Sequence, residues 1–561
     1  MSRAPRYRAA PVLRRLSVLV LLACLLLPGA RVRAADGSDA IGSAIEALIY
    51  GSIEPEALAI RGLRIAWPGV IKEFYAQREF RPAWDREAAV ADLLRALAAS
   101  HEDGLDPEDY YLSTLSALAV EQRAPESDDG LRAEFDVLCT EALLRLGYHL
   151  SFGKVDPSSY DAQWNYGRTL QFERPFPVEL ESFVSAPDLY ARIEALKPSH
   201  YLYTGLKREL ARHRELAGAG GWKPIASGPV LEPGANGPRV TALRARLLAS
   251  AEPDTYDSEL EQAVRTFQER MDLPATGSVD ASTLAELNVP IQARIEQIRV
   301  NLDQGRVLLH DLPESFVLVN VAAFQIYLVR GREVVWRARV QVGKPIRRTP
   351  IFRSSIRYLV WNPTWTVPPN ILAKDILPEA RRDPRAIERR GLKVIGAKGR
   401  ELNPLDINWR KLRPNKVPFI LRQDPGPKNP LGRVKLMFPN AHAVYLHDTP
   451  AQDLFEAGDR SLSSGCVRVE RARELALLAL DDPQWNEARA ARVIATERTQ
   501  NVTLARPLPV LLTYWTAWVD GQDRLNFRRD IYDRDAAWGK ALAQGFQIRV
   551  RPLLAPPVAA P

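Results

Sequence analysis

One segment of the chain places a histidine shortly before a cysteine. Residues 445–470 read YLHDTPAQDLFEAGDRSLSSGCVRVE, so His447 and Cys466 stand 19 positions apart. The whole sequence contains only seven histidines and three cysteines. A thiol becomes a nucleophile when a neighbouring imidazole can take its proton. The segment therefore predicts a cysteine nucleophile, Cys466, with His447 as its general base and acid.

The residues around His447 indicate how its ring would be held. In the run AVYLHD an extended chain sends Tyr445 and His447 to one face and Leu446 to the other. Asp448 then points away from the imidazole. We therefore expect a backbone carbonyl, and not the Asp448 carboxylate, to orient the ring.

The residues around Cys466 favour a reactive sulfur. Arg468 would lie on the same side of an extended chain, and a helix expected to start near Glu470 would direct its positive end toward the loop. Both features favour thiolate over thiol. Gly465 is expected to let the backbone approach a substrate and to free an amide for an oxyanion.

Other chemistries lack their usual signatures. The sequence has no HExxH, no CxxC, no GxGxxG following a strand and no Walker loop. We therefore expect no metal and no cofactor. A bare Cys and His pair can also be coincidental, and the SSGCVR context with its basic neighbours is what favours catalysis.

The first 34 residues are typical of an export signal. A basic start is followed by an apolar stretch from Leu16 to Leu27 and by Val32, Arg33 and Ala34, after which cleavage is expected. The formal net charge of +8 includes seven arginines of this segment, so cleavage leaves about +1 and nucleic acid is not implied. We expect a periplasmic protein, or a membrane-associated one if the signal is not cleaved. Cys139, in the apolar helical pattern of residues 133–150, is expected to be a buried core residue.

The pattern of the chain predicts a multidomain α+β protein. Residues 35–220 show helical spacing and form an expected helical scaffold domain, followed by a small helical module at 221–292 and a helical connector at 293–314. Alternating β-branched and aromatic residues predict a mainly β domain over 315–550, with a hairpin at Arg330 and Gly331, and a tail at 551–561. Residues 366–430 interrupt the strands and are expected to form an inserted lid. The lid holds 15 Lys and Arg against seven Asp and Glu, an excess that would either attract carboxylates of a substrate or form a solvated basic surface.

The motifs HDTP and SSGCVR resemble the signature of the L,D-transpeptidase (YkuD-type) catalytic domain. The resemblance extends to NPLGRVKLMFPN, WNPTWTVP and TYWTAWVDGQDRLNFRRDIYDRD. The module sequence YDSELEQAVRTFQERMDLPATGSVDASTLAELN is similar to the peptidoglycan-binding domain family. With FYAQREFRPAW and DGLDPEDY, the chain resembles the large multidomain periplasmic members over nearly its whole mature length. Ser464 stands where many members have His, although the large periplasmic type commonly carries Ser.

The resemblance implies a particular reaction and set of residues. Cys466 would attack the third stem residue of peptidoglycan, usually diaminopimelate, expel D-alanine and pass the acyl group to a stem amine, forming a 3→3 cross-link. Ser464, Gly465 and Cys466 would form the catalytic loop, and Arg468 would fix that loop or a substrate carboxylate. Substrate binding is expected from Trp361, Trp365, Tyr445 and Arg433. The resemblance also implies acylation by carbapenems, a role in cell wall biogenesis and cell shape, and cell-wall synthesis proteins as candidate partners of a monomer.

Three other interpretations stay open at the level of sequence. Water as the acceptor would give an L,D-carboxypeptidase, and a lysine of an outer-membrane protein or lipoprotein would give an anchoring enzyme. A non-catalytic wall-binding scaffold would use only the helical parts. A papain-type peptidase is disfavoured because its Cys precedes its His.

Overall fold

The computed structural model describes residues 36–51, 58–125, 127–159, 165–166, 176–310, 312–331, 333–414 and 416–546. The expected signal peptide (1–34) and tail (551–561) lie outside the described residues. Within the described residues no helix is both long and apolar enough to cross a membrane.

The first part of the chain is a helical scaffold built around one long helix. Its helices are α1 (Asp36–Tyr50), α2 (Pro68–Gln77), α3 (Glu87–Ala99), α4 (Leu112–Glu121), α5 (Asp129–Phe152), α6 (Phe176–Val184), α7 (Leu189–Glu194) and α8 (Tyr201–Gly218), with a two-stranded ribbon of β1 (Ala59–Ile60) and β2 (Leu63–Arg64). Helix α5 is buried over most of its length, since the other helices pack around it. Its Cys139 is fully buried and unpaired, which confirms the expected core role.

A small helical module follows the scaffold. It consists of α9 (Pro238–Leu248), α10 (Ser258–Arg270) and α11 (Ala281–Leu287). The apolar stripes predicted from sequence form its core, because Val240, Leu243, Leu260 and Val264 are all fully buried.

The connector helix α12 (Ile291–Leu308) lies at the centre of the molecule. It contacts α8 and α5 of the scaffold, the terminal helix α18 (Asp535–Leu542) and strand β15 (Ala517–Val519). Eleven of its 18 residues are buried, including the charged Asp303 and Arg306. A helix buried on almost all sides joins the parts that surround it.

The C-terminal part is organised by a closed eight-stranded barrel. The barrel strands are β3 (Ser315–Asn320), β4 (Gln325–Arg330), β5 (Glu333–Gln341), β6 (Phe352–Trp361), β11 (Val434–Met437), β12 (Leu446–His447), β13 (Val467–Val469) and β14 (Gln500–Thr513). Their order around the barrel is β11-β12-β13-β5-β4-β3-β14-β6. The expected hairpin joins β4 to β5, and Gly331 at its turn has a φ of 62° that a side chain would disfavour.

The remaining helices and strands of this part lie outside the barrel. They are α16 (Ala472–Leu480), α17 (Glu487–Ala495), the pair β15 (Ala517–Val519) and β16 (Leu525–Phe527), and α18 (Asp535–Leu542).

The lid is a small folded unit inserted between β6 and β11. It contains α13 (Pro369–Ile371), a π-helical turn (Leu372–Ile376), α14 (Leu377–Arg382), α15 (Ala386–Arg389), β8 (Lys393–Ile395), β9 (Glu401–Leu402) and β10 (Ile420–Gln423), with β7 (Trp365–Thr366) at its entrance. Its four strands form a separate sheet in the order β7-β10-β8-β9. The lid also has its own apolar core, which includes Ile376, Leu377, Val394 and Trp409. The architecture therefore confirms the expected fold class.

Candidate active site

Four neighbouring barrel strands bring polar side chains into one row. Lys435 of β11 pairs with His447 of β12, His447 pairs with Arg468 of β13, and Arg468 pairs with Gln341 of β5. The residues between them along the strands point to the opposite face, where they are fully buried in the apolar core: Val434, Leu436, Leu446, Val467 and Val469. Strand alternation thus separates a polar face from the core.

His447 is held by a backbone carbonyl, as its sequence context predicts. Its Nδ1 lies 2.6 Å from the carbonyl oxygen of Asp448, a distance that assigns the proton to Nδ1 and leaves the Nε2 lone pair free. The Asp448 carboxylate faces elsewhere and accepts a hydrogen bond from the Arg433 N–H at 2.7 Å. The imidazole is thereby oriented to accept a proton at Nε2.

The surroundings of His447 keep its ring neutral. Burial lowers the pKa of His447 to about 3, and the positive charges of Arg468 and Lys435 act in the same direction. Only 4% of the residue is exposed. Burial and neighbouring cations both disfavour the imidazolium, so the ring is a base at neutral pH.

Cys466 lies beside Tyr445 on the same polar face. The register that pairs Leu446 with Val467 places Tyr445 next to Cys466, where Tyr445 acts to lower the pKa of the thiol. The Tyr445 ring meets the His447 ring edge to face, with centroids 5.5 Å apart. Tyr445 is therefore a neighbour of both Cys466 and His447.

The thiol itself is not held ionised, which corrects the sequence expectation. Burial raises the pKa of Cys466, and this effect outweighs the opposing influence of Tyr445, Arg468 and Lys435. The helix α16 begins at Ala472, and β13 separates it from the catalytic loop. The resting site is therefore a neutral thiol with a neutral imidazole.

Cys466 and His447 share neighbours without a direct bond. The Cys466 Sγ donates to the carbonyl oxygen of Ala443 at 3.8 Å, and within the described part of the chain no hydrogen bond joins it to His447. Both residues nevertheless lie close enough to Lys435 and Arg468 for the two positive charges to act on each of them. Catalytic hydrogen bonds are often long in a free enzyme and tighten when substrate binds.

The catalytic loop is fixed by hydrogen bonds at each residue. Gly465 has a φ of 117°, its N–H donates to the Ser463 hydroxyl at 3.0 Å, and its carbonyl accepts from the Thr349 hydroxyl at 2.9 Å. The Gly465 amide is therefore not free for an oxyanion, contrary to the sequence expectation. The Cys466 N–H has no acceptor among the residues that the structure describes, so it is the amide available in this loop.

Ser464 and Arg468 are held in different ways. The Ser464 hydroxyl accepts a hydrogen bond from Arg347 at 2.8 Å. Arg468 donates to the Gln341 side chain at 3.0 Å and lies beside His447. Arg468 is thus placed to act on the electrostatics of the site, next to both Cys466 and His447.

Two of the expected substrate-binding residues do not join this site. Trp361 has no exposed area and stacks on Trp485 at 5.7 Å, so it packs in the core and cannot contact a substrate. The Arg433 side chain pairs with Glu497 at 3.7 Å and not with a residue of the polar row. Trp365 is half-buried at the entrance of the lid and packs against the lid core, so its role in binding stays a prediction.

The structure adds residues that sequence reasoning missed. Lys435 holds its ammonium 5.3 Å above the Tyr445 ring, and burial lowers its pKa. Gln341 and Thr349 support Arg468 and Gly465. The alternation in RVKLM could have placed Lys435 on a polar face, but the pairing of its strand with β12 has no local signal.

Comparison with known families agrees with this geometry. Residues 314–484, which contain the whole polar row and the lid, match the L,D-transpeptidase catalytic domain family YkuD. This segment is an L,D-transpeptidase catalytic domain. Residues 69–210 match a family described as "Scaffold domain", and residues 236–287 match one described as "Putative peptidoglycan binding domain".

Individual proteins are similar to the L,D-transpeptidase domain and its neighbours. A protein of Haemophilus influenzae named "Putative L,D-transpeptidase" is 26% identical over 479 residues, covering 84% of this chain and 79% of its own. The solved L,D-transpeptidase of Xylanimonas cellulosilytica is 15% identical, with 51% of this chain and 99% of that chain covered and a TM-score of 0.17. The one from Stackebrandtia nassauensis is 12% identical, with 52% and 97% covered and a TM-score of 0.20.

Proposed function

We propose that this protein is a periplasmic peptidoglycan L,D-transpeptidase that forms 3→3 cross-links by acyl transfer through Cys466. The observation that carries the proposal is the shared polar face of Cys466, Tyr445 and His447 within the L,D-transpeptidase domain. The peptidoglycan-binding match at 236–287 supports peptidoglycan as the substrate.

The first half of the reaction forms a thioester. Cys466 Sγ attacks the carbonyl of the third stem residue while its proton passes to His447 Nε2, because the ring starts neutral and its Nδ1 is engaged with Asp448. The Cys466 N–H, the amide available in the loop, donates a hydrogen bond to the developing oxyanion. The imidazolium then gives the proton to the leaving amine of D-alanine.

The second half transfers the acyl group to an acceptor. An amine from a neighbouring stem loses a proton to His447 and attacks the thioester, which forms the cross-link and restores the thiol. Lys435 and Arg468 stabilise negative charge on the sulfur when it departs, since both lie close enough to favour the thiolate.

The acceptor is tested by mixing the protein with peptidoglycan rich in tetrapeptide stems and separating the digested muropeptides by chromatography and mass spectrometry. We expect 3→3 dimers and free D-alanine, and neither with Cys466→Ala. Tripeptides without dimers would indicate L,D-carboxypeptidase activity instead of cross-linking. No change in any muropeptide would contradict both and leave a wall-binding role.

A further inference from the structure

A tight turn places Arg347 beside the catalytic loop. Residues 343–349 bridge to the loop through Gly343 and Ser463, and the Lys344 N–H donates to the Ser463 carbonyl at 3.0 Å. Arg347 in this turn donates to the Ser464 hydroxyl at 2.8 Å. The guanidinium of Arg347 thus contacts Ser464, which stands two residues before the nucleophile, and lies beside the catalytic loop.

The same guanidinium holds a carboxylate from the lid. Arg347 donates to the two oxygens of Asp375 at 2.6 and 2.8 Å, so the pair has the two-pronged geometry of a strong arginine–carboxylate contact. Asp375 belongs to the π-helical turn Leu372–Ile376, whose Leu372 and Ile376 are buried in the lid core. Asp375 is therefore fixed to the lid, whereas Arg347 is fixed to the catalytic loop.

The ion pair is accessible and surrounded by positive charge. The Asp375 side chain is 38% exposed and that of Arg347 is 13% exposed. Besides Arg347, the positive charges of Lys344 and Arg390 act on Asp375, and Arg390 has its own partner in Glu379 at 2.7 Å. Because the Asp375 side of the pair reaches solvent, another carboxylate can approach Arg347 there and take the place of Asp375.

We propose that Arg347 is the residue that binds a carboxylate of the donor stem peptide, and that Asp375 occupies this position while no substrate is bound. This inference rests on the proposed function, since the donor must be a stem peptide. Such a donor carries two carboxylates near the scissile bond: that of the departing D-alanine and that of the diaminopimelate side chain. Ser464 orients the guanidinium, and the lid supplies the competing carboxylate.

The substitution Asp375→Asn tests whether Arg347 binds a donor carboxylate or whether its pair with Asp375 only attaches the lid. Release of D-alanine is followed with the full-length protein on three donors: the tetrapeptide, the same peptide amidated at its C-terminus, and the same peptide amidated on the third side chain. We expect Asp375→Asn to lower KM for the unmodified donor by about threefold to tenfold with kcat unchanged. One of the two amidated donors should show no such gain, and that donor identifies the carboxylate that Arg347 binds.

Variants of Arg347 supply the reciprocal test. Arg347→Gln should raise KM for the unmodified donor to the value of the amidated one, and Arg347→Lys, which keeps the charge without the fork, should recover part of the loss. Asp383→Asn is the matched control, because it breaks an exposed lid pair with Arg389 and should leave all KM values unchanged.

Two results would overturn the inference. Asp375→Asn could weaken all three donors equally, which would make the pair only a lid attachment, or Arg347→Gln could leave the discrimination between acid and amide donors intact. Failure of the proposed function gives a different result, because the wild-type protein would then release D-alanine from none of the three donors.

Discussion

At the scale of single residues, the chemistry of the site depends on how burial shifts the pKa values of the Cys466 thiol and the His447 imidazole. Burial raises the pKa of the Cys466 thiol and lowers that of the His447 imidazole, so both groups are neutral at physiological pH. The flanking cations Lys435 and Arg468 oppose burial at the thiol and reinforce it at the imidazole. Proton transfer between two neutral groups is therefore the step that the site must promote.

This arrangement predicts an unusual dependence of activity on pH. A lowered histidine pKa means that His447 loses its proton near pH 3 and is a base at every higher pH. We expect kcat/KM for D-alanine release to stay constant between about pH 5 and pH 8, because that profile reports the free enzyme's groups. Steady-state rates across this range measure it. An acid limb centred near the ordinary histidine value of 6.5 would contradict the prediction.

Lys435 should contribute to the reactivity of the sulfur. Removing its charge by Lys435→Met takes away one of the influences that lower the pKa of Cys466. We expect iodoacetamide to alkylate the variant about threefold to tenfold more slowly at pH 8, since one pKa unit is a tenfold change in thiolate. Lys416→Met, in an exposed part of the lid, is the control. Equal alkylation rates for Lys435→Met and wild type would exclude this role for Lys435.

At the scale of elements, distant segments hold the catalytic loop. The Thr349 hydroxyl donates to the Gly465 carbonyl and accepts from the Gly343 N–H, both at 2.9 Å. Tyr532 extends the same network, because its hydroxyl donates to the Gly343 carbonyl at 2.6 Å and accepts from the Thr349 N–H at 3.1 Å. The loop is thus positioned by a turn after β5 and by the segment that follows β16.

Loss of one hydroxyl in this network should be costly. Thr349→Val leaves a buried carbonyl and a buried N–H without their partner, which costs about 1 to 3 kcal/mol for each unsatisfied group. We expect a lower melting temperature and a reduced kcat for D-alanine release, measured by calorimetry and steady-state kinetics. Thr503→Val on the exposed side of β14 is the control. A Thr349→Val protein with unchanged kcat would show that Gly465 does not need this support.

The sequence predicts these elements only as far as local patterns reach. Alternation along AVYLHD places Tyr445 and His447 on one face correctly, because it depends only on adjacent residues. The pairing of His447 with Lys435 depends on closure of the barrel, which has no local signal. The orientation of Trp361 is set by Trp485, more than a hundred residues away.

The loop itself shows a similar limit. Gly465 has a φ of 117°, a backbone conformation that favours glycine. The sequence predicts that the Gly465 amide is free for an oxyanion, but this N–H donates a hydrogen bond to the Ser463 hydroxyl. A side chain two residues away can fold back in several ways, and the sequence does not select among them.

At the scale of the whole molecule, one buried carboxylate joins three parts of the chain. Asp303 of α12 accepts hydrogen bonds from the N–H groups of Lys154 and Val155 in the scaffold and from the Trp538 ring nitrogen of α18, at 2.7, 3.1 and 2.9 Å. It also pairs with Arg306 at 2.8 Å. The scaffold and the barrel domain are therefore coupled through α12.

This coupling predicts that the parts unfold together. Asp303→Asn removes a fully buried charge from its ion pair, a change that costs about 3 kcal/mol or more. We expect scanning calorimetry to show a shared transition moved to lower temperature, whereas Glu296→Gln, in a half-exposed pair with Arg299, should change little. Separate transitions, with that of the scaffold unmoved, would disprove the coupling.

The most direct test of acyl transfer through this site asks whether Cys466 becomes acylated. The full-length protein, Cys466→Ala and His447→Ala are each mixed with a carbapenem, and the intact mass of each is measured over time. We expect one adduct per wild-type chain, a slower adduct on His447→Ala and none on Cys466→Ala. An adduct of the same mass on Cys466→Ala, or a wild-type protein that never gains mass, would contradict acyl transfer through Cys466.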